Sequence, residues 1–522
     1  MAKILVTDGM ATEGLDLMKQ AGHTVDNKKI TVDELLKIIG EYDGLVVRSA
    51  TQVTEAVLKA GAPQLKVVGR AGVGVDNIDL PAATSHGVIA MNAPMGNIVS
   101  AAEHTIGMIF AVARLIPQAH TKLTKGEWDK KSFTGIELDG KTLGIVGLGK
   151  IGKHVAQVLQ TAGMHVIAYD PFLSPEVAKD LRIELVTVDQ LLARADVITL
   201  HTPLTEETRN LINAERLKTM KKSARIVNVA RGGIIDEPAL AAALKAGIIA
   251  GAAIDVFAEE PIPAGHPLQG LANCIVTPHL GASTEEAQVK VSVDIANQFN
   301  SFFATGKIIN AVNVQLRVDP AIDGYLAAAE ALGAAVVQTI DEPLKGLEVT
   351  AKGNLATFDT KPLAVAALKG ALAKISSQVV NFVTVNQIAK ERGITLTSAS
   401  QEVADGNDQL QVTAVTASGR HVIAGGLVQG QLRVLRYNEY TIDLPIGGHL
   451  LVMEYPDRPG MVGKYGTLLG ANRINIARME VSRIDGRGDA LVILTLDDPI
   501  PTSVLEEIKT TVKPNKAYKV SL

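Results

Sequence analysis

Only one cysteine, Cys274, occurs in 522 residues, which excludes an intramolecular disulfide and suits a reducing compartment. No run approaches the roughly 18 uninterrupted apolar residues that a membrane-crossing helix needs. There is no long block of lysine and arginine, and the formal net charge of −4 argues against general nucleic-acid binding. The opening MAKILVTDGM carries a short buried-strand pattern and no charged-then-apolar leader. What is present, 47% apolar and 20% charged residues, is the balance of a soluble globular protein. A single hydrophobic core does not grow to this length, so about three or four domains are expected. The expectation is a cytoplasmic multidomain protein with no membrane partner, no nucleic-acid partner and no metal site.

Short apolar runs alternate with helical patterns over the first three hundred residues. Strands are expected at Lys3–Asp8, Gly44–Ser49, Lys66–Arg70 and Val88–Asn92, then at Thr142–Val146, Met164–Asp170, Asp196–Leu200, Arg225–Val229 and Gly251–Asp255. Strands separated by helices mean parallel sheets with right-handed crossovers, hence two doubly wound α/β domains. Their junction is placed in Met91–Leu115, and a second long helical pattern, Thr284–Thr305, is positioned to carry the chain back to the first domain. After about Val318 the rhythm changes to Ala-rich segments and alternating strands such as Leu410–Ala417, with no chemical motif before Gly448. From His449 the order strand, helix, strand, strand, helix, strand gives a ferredoxin-like plait. The expected division is 1–98 with 282–317, 99–281, 318–448 and 449–522.

The segment KTLGIVGLGKIG places Gly147, Gly149 and Gly152 between a strand and a helix, with Leu148, Lys150 and Ile151 between them. The first glycine makes the tight turn, the second admits a pyrophosphate, and the third allows close helix–strand packing. The helix amino terminus offers free N–H groups to the phosphates. A second strand, HVIAYD, ends at Asp170, about 18 residues past Gly152, the spacing at which a carboxylate meets the adenosine ribose. Such an acid repels a 2′-phosphate, so NAD is the expected cofactor.

Three further residues occupy strand-to-loop positions: Arg231 after RIVNVA, Glu260 in VFAEEP and His279 in TPHLGAS. Ligands bind at the carboxyl ends of strands in such sheets. Hydride removal from an alcohol carbon needs a base for the hydroxyl proton, and histidine titrates near neutrality. A neighbouring glutamate favours the imidazolium and fixes the ring tautomer. An arginine grips a carboxylate with a two-pronged fork.

The ordered blocks GLGKIG, NVARGGIIDE, AAIDVFAEEP and TPHLGAS resemble the successive signatures of D-2-hydroxyacid dehydrogenases over about residues 3–310. The resemblance implies catalytic roles for Arg231, Glu260 and His279. It extends the cofactor set to Thr202, in HTPLTEETRNLI, and to Ala230, Asp255 and Gly281, with Asp255 facing the nicotinamide amide.

In the first domain GRAGVGVDNID is glycine-rich, so the Val73 and Gly74 N–H groups can donate to a carboxylate. Arg48 and Arg70 end predicted strands. Resemblance to the phosphoglycerate-oxidising branch of the family implies that Arg48, Arg70 and Asn97 meet a substrate phosphate, and hence that 3-phosphoglycerate is the substrate. Likewise, KGEWDKKSFTGIEL resembles a segment that reaches a neighbouring subunit's site, with Lys130 as its basic group. The terminal plait resembles an ACT domain, a module that binds amino acids. Asp457 and Asn475 are its candidate ligands for an L-serine effector, and the resemblance implies a homotetramer. Long-form members of this branch carry such a tail after an intervening domain, the slot that 318–448 fills. Two readings stay open beside this one: a reductase of glyoxylate or hydroxypyruvate, and a non-catalytic NAD-responsive regulator.

Overall fold

The computed structural model describes residues 1–314, 318–402, 408–484 and 488–522. The expected boundary at 317/318 adjoins residues 315–317, which lie outside the described set.

The first five strands, β1 (Lys3–Val6), β2 (Thr24–Asn27), β3 (Gly44–Val47), β4 (Val67–Arg70) and β5 (Ile89–Asn92), form a parallel sheet in the order β2-β1-β3-β4-β5. This is the flavodoxin-like order. Strand β3, GLVV, is buried along its whole length, as expected of a strand covered on both faces. The next seven are β6 (Thr142–Val146), β7 (His165–Tyr169), β8 (Glu184–Leu185), β9 (Val197–Leu200), β10 (Arg225–Asn228), β11 (Gly251–Ile254) and β12 (Cys274–Val276). They form a second parallel sheet in the order β12-β11-β10-β9-β6-β7-β8. Strand order reverses between β9 and β6, so a crevice opens there at the carboxyl ends of the strands.

Two helices tie the sheets together. Ile98–Arg114 leaves the first sheet and buries Met108, Ile109 and Val112 against β6 and its neighbours. Leu115, at φ 56°, ends it. Glu285–Thr305 returns to the first sheet and buries Val291, Ile295 and Phe299 against Ile4, Val46 and Met91. Each fully buried side chain of this kind is worth about 1.5–3 kcal/mol, so both crossings are firmly seated.

The remaining chain forms two further sheets. Strands β13 (Gly346–Lys352), β14 (Thr395–Gln401), β15 (Gln409–Val415), β16 (Arg420–Val428), β17 (Gln431–Tyr437) and β18 (Tyr440–Pro445) make a mixed sheet in the order β14-β13-β15-β16-β17-β18. Only β13 and β14 run parallel in it. The Ala-rich helices Gly324–Val337 and Lys361–Ile375 supply its core. Their small side chains let the helices approach closely: a Cβ on Gly333 would lie 1.9 Å from the Ala367 carbonyl oxygen.

The last sheet, β19 (His449–Pro456), β20 (Ile476–Arg483), β21 (Asp489–Leu496) and β22 (Lys516–Ser521), is antiparallel in the order β20-β21-β19-β22, the ferredoxin-like plait. Its helices cover one face through Leu451, Met453, Val492 and Leu494. The other face presents Leu450, Val452, Ile493 and Tyr518 to the core of the mixed sheet. Tyr518 also donates to Asp341 at 2.7 Å. The two C-terminal sheets therefore share one apolar core. No single helix among the described residues is long and apolar enough to cross a membrane.

Candidate active site

The turn after β6 meets each requirement read from its glycines. Gly147 sits at φ 92°, and a Cβ there would lie 2.7 Å from the His201 carbonyl oxygen. Gly152 would place a Cβ 2.3 Å from the Gly147 carbonyl oxygen, while a Cβ on Gly149 would meet nothing within 4 Å. The middle glycine thus faces open space where the strand order reverses, at the amino terminus of helix Lys150–Thr161. Leu148 is buried and Ile151 packs beneath it. Asp170, just past β7, accepts from the Leu148 N–H at 2.8 Å and the Phe172 N–H at 2.9 Å. Beside this turn, against Gly147, the Thr202 hydroxyl is buried without a partner. An orphaned hydroxyl and an uncrowded glycine turn are what a dinucleotide would complete, so the residues present fit NAD.

Arg231, Glu260 and His279 follow β10, β11 and β12, three neighbouring parallel strands. His279 Nδ1–H donates to Glu260 Oε2 at 2.7 Å, which leaves Nε2 with its lone pair free to take a proton. Glu260 Oε1 accepts from the Phe257 N–H at 2.9 Å. Burial pushes the Glu260 carboxyl up, but the donors His279 and Phe257 outweigh it and hold the group below the usual carboxylate range. His279 itself is held at φ 54°, its N–H donating to the Asp255 carbonyl at 2.8 Å.

Asp255 is fully buried. Its carboxylate accepts from Thr277 Oγ1 at 2.5 Å, Leu280 N at 2.8 Å, Gly281 N at 2.9 Å and His104 Nε2 at 3.2 Å. Burial opposes its charge, and the donors again win and lower the pKa. The side chain expected to face the nicotinamide amide is thus largely engaged in anchoring the loop that carries His279. Gly281, expected to touch the cofactor, is one of the residues so anchored. Ala230 donates to Asn228 Oδ1 at 3.0 Å and shapes the turn before Arg231.

Arg231 reaches into the other half of the molecule. Its Nε donates to Asp76 Oδ2 at 2.9 Å. A Cβ on Gly74 would lie 1.8 Å from Arg231 Nη2 and 2.7 Å from Arg70 Nη1, so both guanidinium groups converge on this one backbone position. Arg70 ends β4, and burial pulls its guanidinium down to about 10, with Arg231 and Arg48 adding repulsion against Asp76 and Asp8. Its Nε is buried without a partner. Arg48 follows β3, its own N–H donating to Asp8 Oδ2 at 2.7 Å. Among the described residues the Val73 and Gly74 N–H groups donate to no protein acceptor, and Asn92 fixes their loop by donating to the Val73 carbonyl at 2.5 Å. Asn97 Oδ1 is buried and unpaired. Three arginines, two free N–H groups and a proton acceptor across the cleft suit a small molecule bearing several negative charges.

Other expected residues lie apart. Lys130 is exposed on the segment around Trp128, which is 85% exposed. In the plait, Asp457 pairs with Arg483 at 2.8 Å, and Asn475 donates to Asp497 at 2.7 Å. The two candidate effector ligands therefore each have a neighbour in this chain.

Three family models match in order: the NAD binding domain of D-isomer specific 2-hydroxyacid dehydrogenase over residues 106–281, the D-3-phosphoglycerate dehydrogenase intervening domain over 321–437, and the ACT domain over 449–512. The chain is 44% identical to D-3-phosphoglycerate dehydrogenase of Synechocystis sp., covering 100% of this chain and 95% of that one. It belongs to the D-3-phosphoglycerate dehydrogenase family. The counterpart from Methanocaldococcus jannaschii is 42% identical over 98% of both chains. Solved structures of sister enzymes match only part of the family member described here. An NAD complex of Staphylococcus aureus formate dehydrogenase covers 59% of this chain and 97% of its own, at 29% identity and TM-score 0.54. Escherichia coli D-lactate dehydrogenase covers 59% and 99%, at 27% identity and TM-score 0.54.

Asp76, His104 and Thr277 are partners of Arg231 and Asp255 that the sequence alone does not single out. Asp76 and His104 lie more than 150 positions from the residues they hold, and no local spacing betrays such pairs. Thr277 had a signal, since it stands two residues before His279 in the same TPHLGAS block.

Proposed function

We propose that this chain oxidises 3-phospho-D-glycerate to 3-phosphohydroxypyruvate with NAD, the first step of L-serine biosynthesis. The observation that carries the reading is the convergence of Arg70 and Arg231 on the Gly74 backbone, with Arg48 near enough to repel Arg70, in a chain that also pairs His279 with Glu260 and matches the family along its whole length. Arg48 and Arg70, with Asn97, hold the phosphate, and Arg231 with the Val73 and Gly74 N–H groups holds the carboxylate end. His279 Nε2 takes the C2 hydroxyl proton while Glu260 stabilises the imidazolium that forms. When bound, NAD supplies the acceptor for the C2 hydride. Residues 147–152, Thr202 and Ala230 hold it, Asp170 selects the 2′-hydroxyl form, and Asp255 with Gly281 fixes the loop beside it. Arg231 reaching Asp76 is the contact expected of a closed cleft, which excludes water from the reacting atoms.

The same reading divides the chain into a substrate domain (1–98 with 282–317), an NAD domain (99–281), an intervening domain (318–448) and a regulatory domain (449–522), in a cytoplasmic homotetramer. Support for assembly comes from the exposed Phe110, Ile116, Leu123 and Trp128, an apolar row that Lys130 follows. L-serine is the proposed effector: the Asp457–Arg483 pair offers a carboxylate and a guanidinium together, the complement of an amino acid's two charges.

The test is NADH formation at alkaline pH from NAD with 3-phosphoglycerate, beside D-lactate and D-glycerate. Turnover of the phosphorylated acid alone is expected. Turnover of only the unphosphorylated acids would move the chain to a sister dehydrogenase. NAD binding without turnover of any would favour a regulator. Light scattering reads the tetramer, and calorimetry with L-serine reads the effector; absence of heat on titration removes that assignment.

A further inference from the structure

A second Glu–His pair lies beneath the first. Glu237 opens helix Glu237–Lys245, and His266 stands in the loop that leads to β12. Their side chains are 10% and 8% exposed, and His266 Nε2 meets Glu237 Oε2 at 2.8 Å. The tautomer is defined on both sides. Nε2–H donates to a carboxylate that can only accept, while Nδ1 accepts from the Leu268 N–H at 3.4 Å.

What this pair holds is one peptide unit, Phe257–Ala258. Glu237 Oε1 accepts from the Ala258 N–H at 2.7 Å. The preceding N–H, that of Phe257, donates to Glu260, which in turn orients His279. The Phe257 ring packs edge-on against the His266 ring at 5.4 Å. On its other side the same peptide is pressed by Gly232, where a Cβ would lie 1.9 Å from the Phe257 carbonyl carbon and oxygen. Gly232 is the residue after Arg231. The Phe257–Ala258 peptide therefore touches the Arg231 turn and is clamped by Glu237, and the N–H of the peptide just before it donates to Glu260.

We propose that Glu237 and His266 are positioning residues which, through the Phe257–Ala258 peptide, hold Arg231, Glu260 and His279 in mutual register. Neither group touches substrate or cofactor. The proposal rests on the reading of those three as the reacting set, and it adds that their alignment is set from below by a buried pair. Displacement of reacting groups by about 1 Å costs up to roughly a hundredfold in rate.

The test uses His266→Phe, which keeps a ring against Phe257 and removes the hydrogen bond. Glu237→Gln is its conservative counterpart: the amide accepts from Ala258 and donates to His266 Nε2, which moves the ring proton to Nδ1 and gives up only the long 3.4 Å contact from the Leu268 N–H. Glu237→Leu/His266→Phe removes the stranded carboxylate should His266→Phe fold poorly. Each full-length variant is measured for kcat and KM across pH, and for amide hydrogen exchange in a peptide spanning 254–262. His266→Phe and the double variant are expected to lose about tenfold to a hundredfold in kcat, with KM for both substrates within about twofold. The acid limb of kcat/KM should move as Glu260 loosens, and the 257 and 258 amides should exchange faster. Glu237→Gln should stay within about threefold of wild type. Folded His266→Phe or double variant with wild-type kcat, pH profile and exchange would overturn the proposal. So would a loss that follows only the folded fraction. A wild-type chain inactive on 3-phosphoglycerate would instead refute the assigned reaction, while the exchange result would still decide whether the pair clamps the peptide.

Discussion

Two Glu–His pairs of nearly equal length flank the Phe257–Ala258 segment and differ in exposure. His279–Glu260 spans 2.7 Å with side chains 39% and 36% exposed, and His266–Glu237 spans 2.8 Å with both almost sealed from water. Water screens the first, so as an ion pair it contributes about 0–1 kcal/mol to stability. The second is a hydrogen bond from a neutral ring to a buried carboxylate, and losing that donor costs about 1.5–3 kcal/mol. The comparison separates two uses of one residue combination. At the cleft, the open pair leaves Nε2 free for a proton. Beneath it, both histidine nitrogens are occupied, and the pair has nothing to give except position.

The largest expected effect is on the open pair. His279→Ala should lower kcat by about 10²- to 10⁴-fold with little change in melting temperature, read by steady-state rates and thermal unfolding. Unfolding in step with the rate loss would erase the distinction between the pairs. Next, Arg70→Ala and Arg48→Ala should raise KM for 3-phosphoglycerate roughly tenfold to a hundredfold, since a charged hydrogen bond is worth about 1.5–3 kcal/mol. An unchanged KM refutes the phosphate assignment. Smaller again, Glu260→Gln should cost about tenfold in kcat, because a neutral partner stabilises the charge that develops on the ring in the transition state less well. A wild-type kcat in this variant would mean that Glu260 does not assist the base.

The smallest effect is on stability. The Glu260 carboxyl is held below its ordinary range, so its contribution is present near neutrality and is lost as pH falls through that lowered value. With both side chains over a third exposed, this amounts to at most about 1 kcal/mol. Urea unfolding of wild type and Glu260→Gln should converge on acidification. A gap that widens at low pH contradicts the assignment.

The sequence was most readable where backbone geometry is local. Gly147, Gly149 and Gly152 each stand where a turn, an opening or a close contact demands one, and strand Thr142–Val146 matches its expected limits residue for residue. Other strands are shorter than expected, as where Lys3–Asp8 contracts to Lys3–Val6, because Asp8 turns away to cap the Arg48 and Thr51 N–H groups. Strand β2, half-exposed TVDN, has no apolar run to announce it, and β8 is only two residues long. At the site, the individual residues were legible, but their partners were not. For Asp255 the sequence is silent on the donors Thr277, Leu280 and Gly281, because they come from another strand's loop. Glu237 and His266, 29 positions apart, look like a helix start and a loop histidine until the fold stacks them.

The most direct measurement is the ratio of kcat/KM for 3-phosphoglycerate to that for D-glycerate, in wild type and in Arg48→Ala/Arg70→Ala. The account predicts a large ratio in wild type that collapses in the double variant, while kcat with the unphosphorylated acid stays near its wild-type value. A ratio that the substitutions leave unchanged would contradict it.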